Sequence, residues 1–200
     1  PTKPRVKGRI VTTASADVPL KGLVPLLEAL AKLRTERDVH LVVVGSLRKG
    51  GATEETLDRL DLNDAVEFVS DVAEPELVEI FGSAQVAVVP SLYEGFSLPA
   101  VELMSCATPL VATNAGALPE VVGPDGEAVL RVEPGDPQEL AVALGRLLDD
   151  DELAARIGAA GRARVIENYT WSVVAARTAD WYRQCLAKAA DGTEEDHADR

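Results

Sequence analysis

The stretch SLYEGFSLPAVELMSCATPLVAT, residues 91–113, decides how this chain folds. The apolar, β-branched run QVAVVPS (85–91) leads into it, and it closes on TPLVAT (108–113). Between them, SLPAVELMSCA (97–107) carries apolar residues at helical spacing, with Ser as its cap and Pro in its first turn. Strand, loop, helix, strand is the repeating unit of a parallel sheet. Two carboxylates mark the segment. Glu94 falls in the loop where the strand ends, and Glu102 falls in the helix between Val101 and Leu103, where partial burial is expected.

The same alternation extends outward. GRIVTTAS (8–15), VHLVVVG (39–45), AVEFVS (65–70) and EAVLRV (127–132) read as further strands. GLVPLLEALAKLR (22–34), TEETLDRLDL (53–62, with Thr53 as cap) and EPELVEIFGSA (74–84) read as helices between them. The predicted fold is α/β, a doubly wound, Rossmann-like parallel sheet. Three more helical patterns follow, DPQELAVALGRLLDD, ELAARIGAAGRARVIENY and TWSVVAARTADWYRQCLAKAA. One domain is expected over residues 1–189, with a polar, disordered tail at 190–200.

Composition narrows the function. With 200 residues and a 46% hydrophobic fraction, the chain supports one sizeable core. A net charge of −13 disfavours a nucleic-acid partner. No apolar run is long enough to span a bilayer, and no basic-then-apolar leader is present. The chain begins PTKPRVKGRI without Met, which suggests a fragment or a processed form. The cysteines, Cys106 and Cys185, have no CxxC partners, and the only histidines are His40 and His197. A zinc site or a nucleophile triad is therefore not expected. Free thiols fit a reducing, cytoplasmic setting, with a peripheral position at the inner membrane face as a further expectation.

In open α/β sheets, ligands sit beyond the carboxyl ends of the strands. The helix starting at Ser97 offers unpaired N–H groups and a partial positive charge there, which suits phosphate. Gly95 lets the backbone approach a ligand closely. A carboxylate can accept two hydroxyl donors at once, so sugars and riboses are natural partners for Glu94 and Glu102. Taken singly, each glutamate is more simply a surface residue. Together with a phosphate site, they describe a nucleotide sugar.

EGFSLPAVE (94–102) resembles the E-x7-E motif of retaining GT-B glycosyltransferases, in particular their family 4. The likeness continues through PLKGLVPLLEAL, LVVVG, VEFVSDV, the GALPEVV that follows the opening stretch, EPGDPQELAVALGRLLDD and YTWSVVA. It covers nearly the whole chain and matches the C-terminal, donor-binding half of that fold. The resemblance implies a nucleoside-diphosphate sugar, UDP- or GDP-linked, as donor, and a hexose transferred with retention to an acceptor held by a missing N-terminal domain. It implies that Lys21 clamps the diphosphate and that Glu94 contacts the sugar hydroxyls. Gly95, Phe96 and Ser97 would present N–H groups, and Leu98 would flank the turn. Glu102 would bind the ribose, and the backbone near Val69, Ser70 and Val72 would border the base. No metal or other cofactor is expected. The two carboxylates are not the nucleophile and acid of a retaining glycosidase, which lie about 5 Å apart across the sugar.

Two departures from the family pattern stand out. Ala16 occupies the position, five before Lys21, where the family has Arg, so another residue such as Arg9 or Arg48 must supply that charge or it is lost. A Gly-Gly pair of the family reads Gly116-Ala117 here, which should alter how tightly that loop turns. A glycosyltransferase-like interaction module that has lost donor binding is therefore the alternative, and a GT-B sugar-nucleotide epimerase a third reading.

Other signals have simpler explanations. GSLRKGG (45–51) lacks the Lys-Ser/Thr pair of a Walker loop. DDDE (149–152) reads as a helix cap rather than a metal-nucleotide motif. Trp171, Trp181 and Tyr182 read as packing residues. If the apolar side of residues 171–186 lacks a partner domain, a homodimer or an exchanged helix is expected.

Overall fold

The computed structural model describes residues 2–14 and 18–195. Six parallel strands form one sheet: β1 (Val6–Thr13), β2 (His40–Val44), β3 (Val66–Val69), β4 (Ala84–Val89), β5 (Leu110–Thr113) and β6 (Leu130–Val132). Their order is β3-β2-β1-β4-β5-β6, so the predicted doubly wound sheet is confirmed. The chain winds outward from β1 through β2 to β3. It then returns to the centre at β4 and winds the other way, which makes the gap between the ends of β1 and β4 the topological switch point.

The central strands β2, β4 and β5 and the second half of β1 are buried on both faces, which explains their continuous apolar runs, whereas the edge strand β3 is only half-buried. In β4, Ala84 and residues 86–89 are all buried. Helix α1 (Leu23–Arg34) turns Leu23, Leu26, Leu27, Leu30 and Leu33 onto the sheet, at helical spacing. It packs beside α6 (Pro137–Asp149), whose Leu140, Leu144 and Leu147 complete the same core. Each such leucine contributes about 1.5–3 kcal/mol by leaving water.

Helices α2 (Ala52–Leu60), α3 (Glu74–Ser83) and α4 (Leu98–Ser105) connect successive strands. A short α5 (Leu118–Val122), masked in the sequence by Pro119 and the neighbouring glycines, links β5 to β6. The predicted cap of α2 is corrected. Gly51 stands at the N-cap, and Thr53 is buried inside the first turn. Gly50 N–H in the preceding loop donates to Glu54 Oε2 at 2.6 Å, so that loop uses one of its own donors.

Helices α7 (Asp151–Asn168) and α8 (Trp171–Glu195) end the chain. Asp150 caps α7 through Leu153 N–H at 2.8 Å, and Asp149 pairs with Arg37 at 2.7 Å. The acidic run thus caps a helix, as expected, and also ties α6 to the loop after α1. The chain divides into two compact units, residues 1–164 and 165–200. In the second, Trp171 is 87% exposed, and Trp181, Tyr182 and Leu186 are exposed too, which corrects the packing role read for the aromatics. Of the expected tail, residues 190–195 continue α8, and 196–200 lie outside the described residues.

Candidate functional site

The two loops that leave the switch point are tied together. The chain after β1 forms a 3-10 turn over Pro19–Lys21, and Leu20 O in that turn accepts Leu92 N–H of the loop after β4 at 2.7 Å. Gly22 follows at φ +67°, where any Cβ would lie 1.9 Å from Pro90 O. Only glycine permits this approach. It brings Lys21 over the β4 loop, where Nζ donates to Glu94 Oε1 at 2.8 Å.

Glu94 is 9% exposed, and its carboxylate is held from below as well. Ser91 Oγ donates to the same Oε1 at 2.7 Å. Thr113 Oγ1, at the end of β5, donates to Ser91 O at 2.5 Å. The Glu94 backbone is pinned by Ala117 N–H, which donates to Glu94 O at 2.8 Å. A Cβ on Gly116 would meet that carbonyl at 2.2 Å, and φ is +56° there. Ala117 itself has φ −83° and needs no glycine. The departure from Gly-Gly therefore leaves the turn intact, because the required glycine is Gly116.

Beyond Glu94 the backbone opens. A Cβ on Gly95 would meet nothing within 4 Å. Ser97 caps α4 from an unusual conformation, φ +82° and ψ 77°, with Oγ accepting Ala100 N–H at 3.4 Å. A non-glycine residue there costs on the order of 1–3 kcal/mol, the kind of strain that clusters at ligand sites. The N–H groups of Gly95, Ser97 and Leu98 donate to no described residue. Phe96 and Leu98 are exposed beside them. A lysine, a buried carboxylate and a fan of backbone donors thus converge at one helix N-terminus, an arrangement able to take an anion and hydroxyls together.

Glu102 is exposed, which corrects the expected partial burial. Ala100, Leu103 and Met104 face the core, and the helical step of about 100° turns Glu102 away from it. Its carboxylate has no hydrogen bond or ion pair among the described residues. Val69, Ser70 and Val72 lie at the carboxyl end of β3, three strand spacings or roughly 14 Å along the sheet edge from β4. Val69 and Val72 are half-buried and Ser70 is exposed.

Ala16 lies outside the described residues. Arg9 does not replace the charge expected at that position. It sits toward the amino end of the sheet, with Nε on His40 Nε2 at 3.2 Å and Nη1 on Ser83 Oγ at 3.1 Å, just before β4 begins. Burial, then the Arg9 charge, lowers the His40 pKa. Arg48, by contrast, lines a cavity of about 450 Å³ with Val18, Pro19 and Leu92, on the same side as Lys21. Cys106 is a buried free thiol whose pKa burial raises.

The family model for glycosyl transferases group 1 matches residues 2–164. The chain belongs to this family. As a group 1 glycosyl transferase, it is 50% identical over 190 residues to an MMP alpha-(1->4)-mannosyltransferase of Mycolicibacterium hassiacum, an alignment covering 95% of this chain and 46% of that protein. The chain thus spans about half the length of this curated relative. It also superposes on the sucrose-phosphate synthase of Thermosynechococcus elongatus with a TM-score of 0.80 and 31% identity, covering 93% of this chain and 47% of that one. The Anabaena protein HepE, solved with UDP-glucose, gives a TM-score of 0.78 at 24% identity over 89% of this chain and 49% of that one, a likeness of fold. The sheet has the Rossmann-like architecture of one half of a GT-B glycosyltransferase.

The sequence reading missed Ser91 and Thr113. Ser91 was legible as a hydroxyl three residues before a carboxylate, the spacing at which such side chains meet in a turn. Thr113 was not, because its contact joins the end of β5 to Ser91 in the loop after β4.

Proposed function

We propose that this chain is the donor-binding half of a retaining hexosyltransferase that uses a nucleoside-diphosphate sugar. The observation that carries the reading is the convergence of Lys21, Glu94 and the unused N–H groups of Gly95, Ser97 and Leu98 at the switch point. The diphosphate lies at the start of α4, where the helix dipole and those donors meet its charge. Lys21 adds a cation that stabilises charge developing on the leaving nucleotide. These groups do the work that a metal ion does elsewhere, so no metal or other cofactor is required. Glu94 accepts from hexose hydroxyls, and Glu102, exposed and unpaired, accepts from the ribose. The carboxyl end of β3, near Val69, Ser70 and Val72, borders the base.

The relatives support this reading through their names, a mannosyltransferase and a sucrose-phosphate synthase, and the HepE complex supports a UDP-linked donor. Retention follows from same-face attack beside the departing phosphate. The acceptor is bound by a second α/β domain, consistent with relatives about twice as long, so this half binds donor but transfers nothing alone. Among the described residues no helix is long and apolar enough to cross a membrane, and we place the protein in the cytoplasm, at the inner membrane face when its acceptor is a lipid.

Titration calorimetry with UDP and GDP tests the proposal. Saturable binding of one nucleotide, weakened by Glu102→Ala, is the expected result. No heat with either nucleotide would overturn it.

A further inference from the structure

Both protein donors to Glu94 fall on one oxygen. Lys21 Nζ and Ser91 Oγ each bond Oε1, at 2.8 and 2.7 Å, whereas Oε2 accepts from no described residue. The two donors differ in kind. Lys21 is one-third exposed along its side chain and stands at the mouth of the site. Ser91 is 2% exposed and is itself fixed from behind, by Thr113 Oγ1 on its carbonyl, with Thr113 fully buried at the end of β5. A rigid chain therefore runs from the sheet interior, through Thr113 and Ser91, to one face of the carboxylate. Short bonds between buried groups in a low-dielectric interior hold their geometry strongly.

We infer that Ser91 is a positioning residue for the donor sugar, holding Glu94 by Oε1 so that Oε2 stays available to accept from a hexose hydroxyl. The inference rests on the donor-site reading above and deepens it. When Lys21 turns toward a bound diphosphate, Ser91 is the donor that remains on Glu94 and keeps the carboxylate from rotating. A buried donor that never leaves thus lets the mobile cation serve the phosphate without disordering the group that reads the sugar. Ser91 acts on the sugar through Glu94 and has no part in holding the nucleotide.

The role predicts a selective loss. With the chain as it stands, calorimetry compares UDP with UDP-glucose and GDP with GDP-mannose, and the readout is the ratio of the two Kd values in whichever pair binds. Ser91→Ala should raise the Kd for the nucleotide sugar about tenfold relative to the nucleotide, the equivalent of one charge-assisted hydrogen bond, and leave the nucleotide unchanged. Ser91→Cys keeps a side-chain donor at the position but a weaker one, so it gives the same direction of change if Ser91→Ala fails to fold. An unchanged ratio in the folded variants, or an equal loss for nucleotide and nucleotide sugar, overturns the role of Ser91 alone. A wild-type chain that binds neither nucleotide overturns the donor site, and this inference with it.

Discussion

Lys21 Nζ lies 2.8 Å from Glu94 Oε1, joining the loop after β1 to the loop after β4 across the point where the sheet reverses its winding. The two residues are far apart in sequence, and both owe their place to glycines, Gly22 beneath Pro90 and Gly116 beneath Glu94. The pair is a cation and an anion held ready at a site otherwise lined by backbone donors.

Replacing Lys21 by Met should weaken nucleoside-diphosphate binding by about ten- to a hundredfold, the loss of one charge-assisted contact. It also strands a mostly buried carboxylate, so the unfolding midpoint should fall. Calorimetry and thermal unfolding on the same sample check both. Unchanged nucleotide affinity would place the diphosphate elsewhere.

Glu102→Ala should behave differently, because Glu102 is exposed and supports nothing in the fold. Its melting temperature should match wild type, while UDP or GDP binds about tenfold more weakly, as for one lost charged acceptor. The variant should also lose discrimination against the 2′,3′-dideoxynucleotide. Wild-type discrimination retained in the variant would remove Glu102 from the ribose site.

Gly116→Ala places a Cβ 2.2 Å from the Glu94 carbonyl at a positive φ, so backbone must move. A loss of roughly 1–3 kcal/mol of stability and of sugar binding is expected. Ala117→Gly, next door, should cost less, about 0.4–1 kcal/mol, since Ala117 already sits in an ordinary conformation. Equilibrium denaturation of the pair separates the two positions.

Asp149 and Arg37 tie α6 to the loop after α1 through two hydrogen bonds at 3.0 and 2.7 Å. The Arg37 bond holds the Asp149 carboxyl below its ordinary value near 3.8. Its stabilisation is therefore full above about pH 4 and is lost as the pH falls through the lower folded value. Asp149→Asn should flatten that part of the acid unfolding curve and change little at pH 7, where the exposed pair is screened. Acid titration followed by circular dichroism checks it, and a wild-type acid profile in the variant would show that the pair carries no linkage.

Trp171, Trp181, Tyr182 and Leu186 leave large apolar side chains in water along α8. The isolated chain should self-associate through that helix, and Leu186→Glu should shift it toward monomer. Sedimentation velocity across a concentration series measures this, and a single monomeric species at high concentration would remove the expectation.

The α/β class, the strands and most helices were written in local pattern, because apolar period and cap residues act over a few positions. Glu94, Gly95 and Ser97 could be singled out in the same way, from a carboxylate and a glycine placed just before a capped helix. Three things could not be read locally. Glu102 sits amid apolar neighbours in sequence, yet the rotation of α4 exposes it. Arg9 has the right charge for a clamp, yet its position in β1 spends it on His40 and Ser83. Thr113 stands 22 residues from Ser91 in sequence, yet the end of β5 brings its hydroxyl onto the Ser91 carbonyl in the loop after β4. Local chemistry alone thus determined which elements form and where the glycine turn before a capped helix lies. The tertiary structure decided which charges meet there, because side chains distant in sequence are brought within hydrogen-bond reach only when parallel strands align their carboxyl ends on one edge.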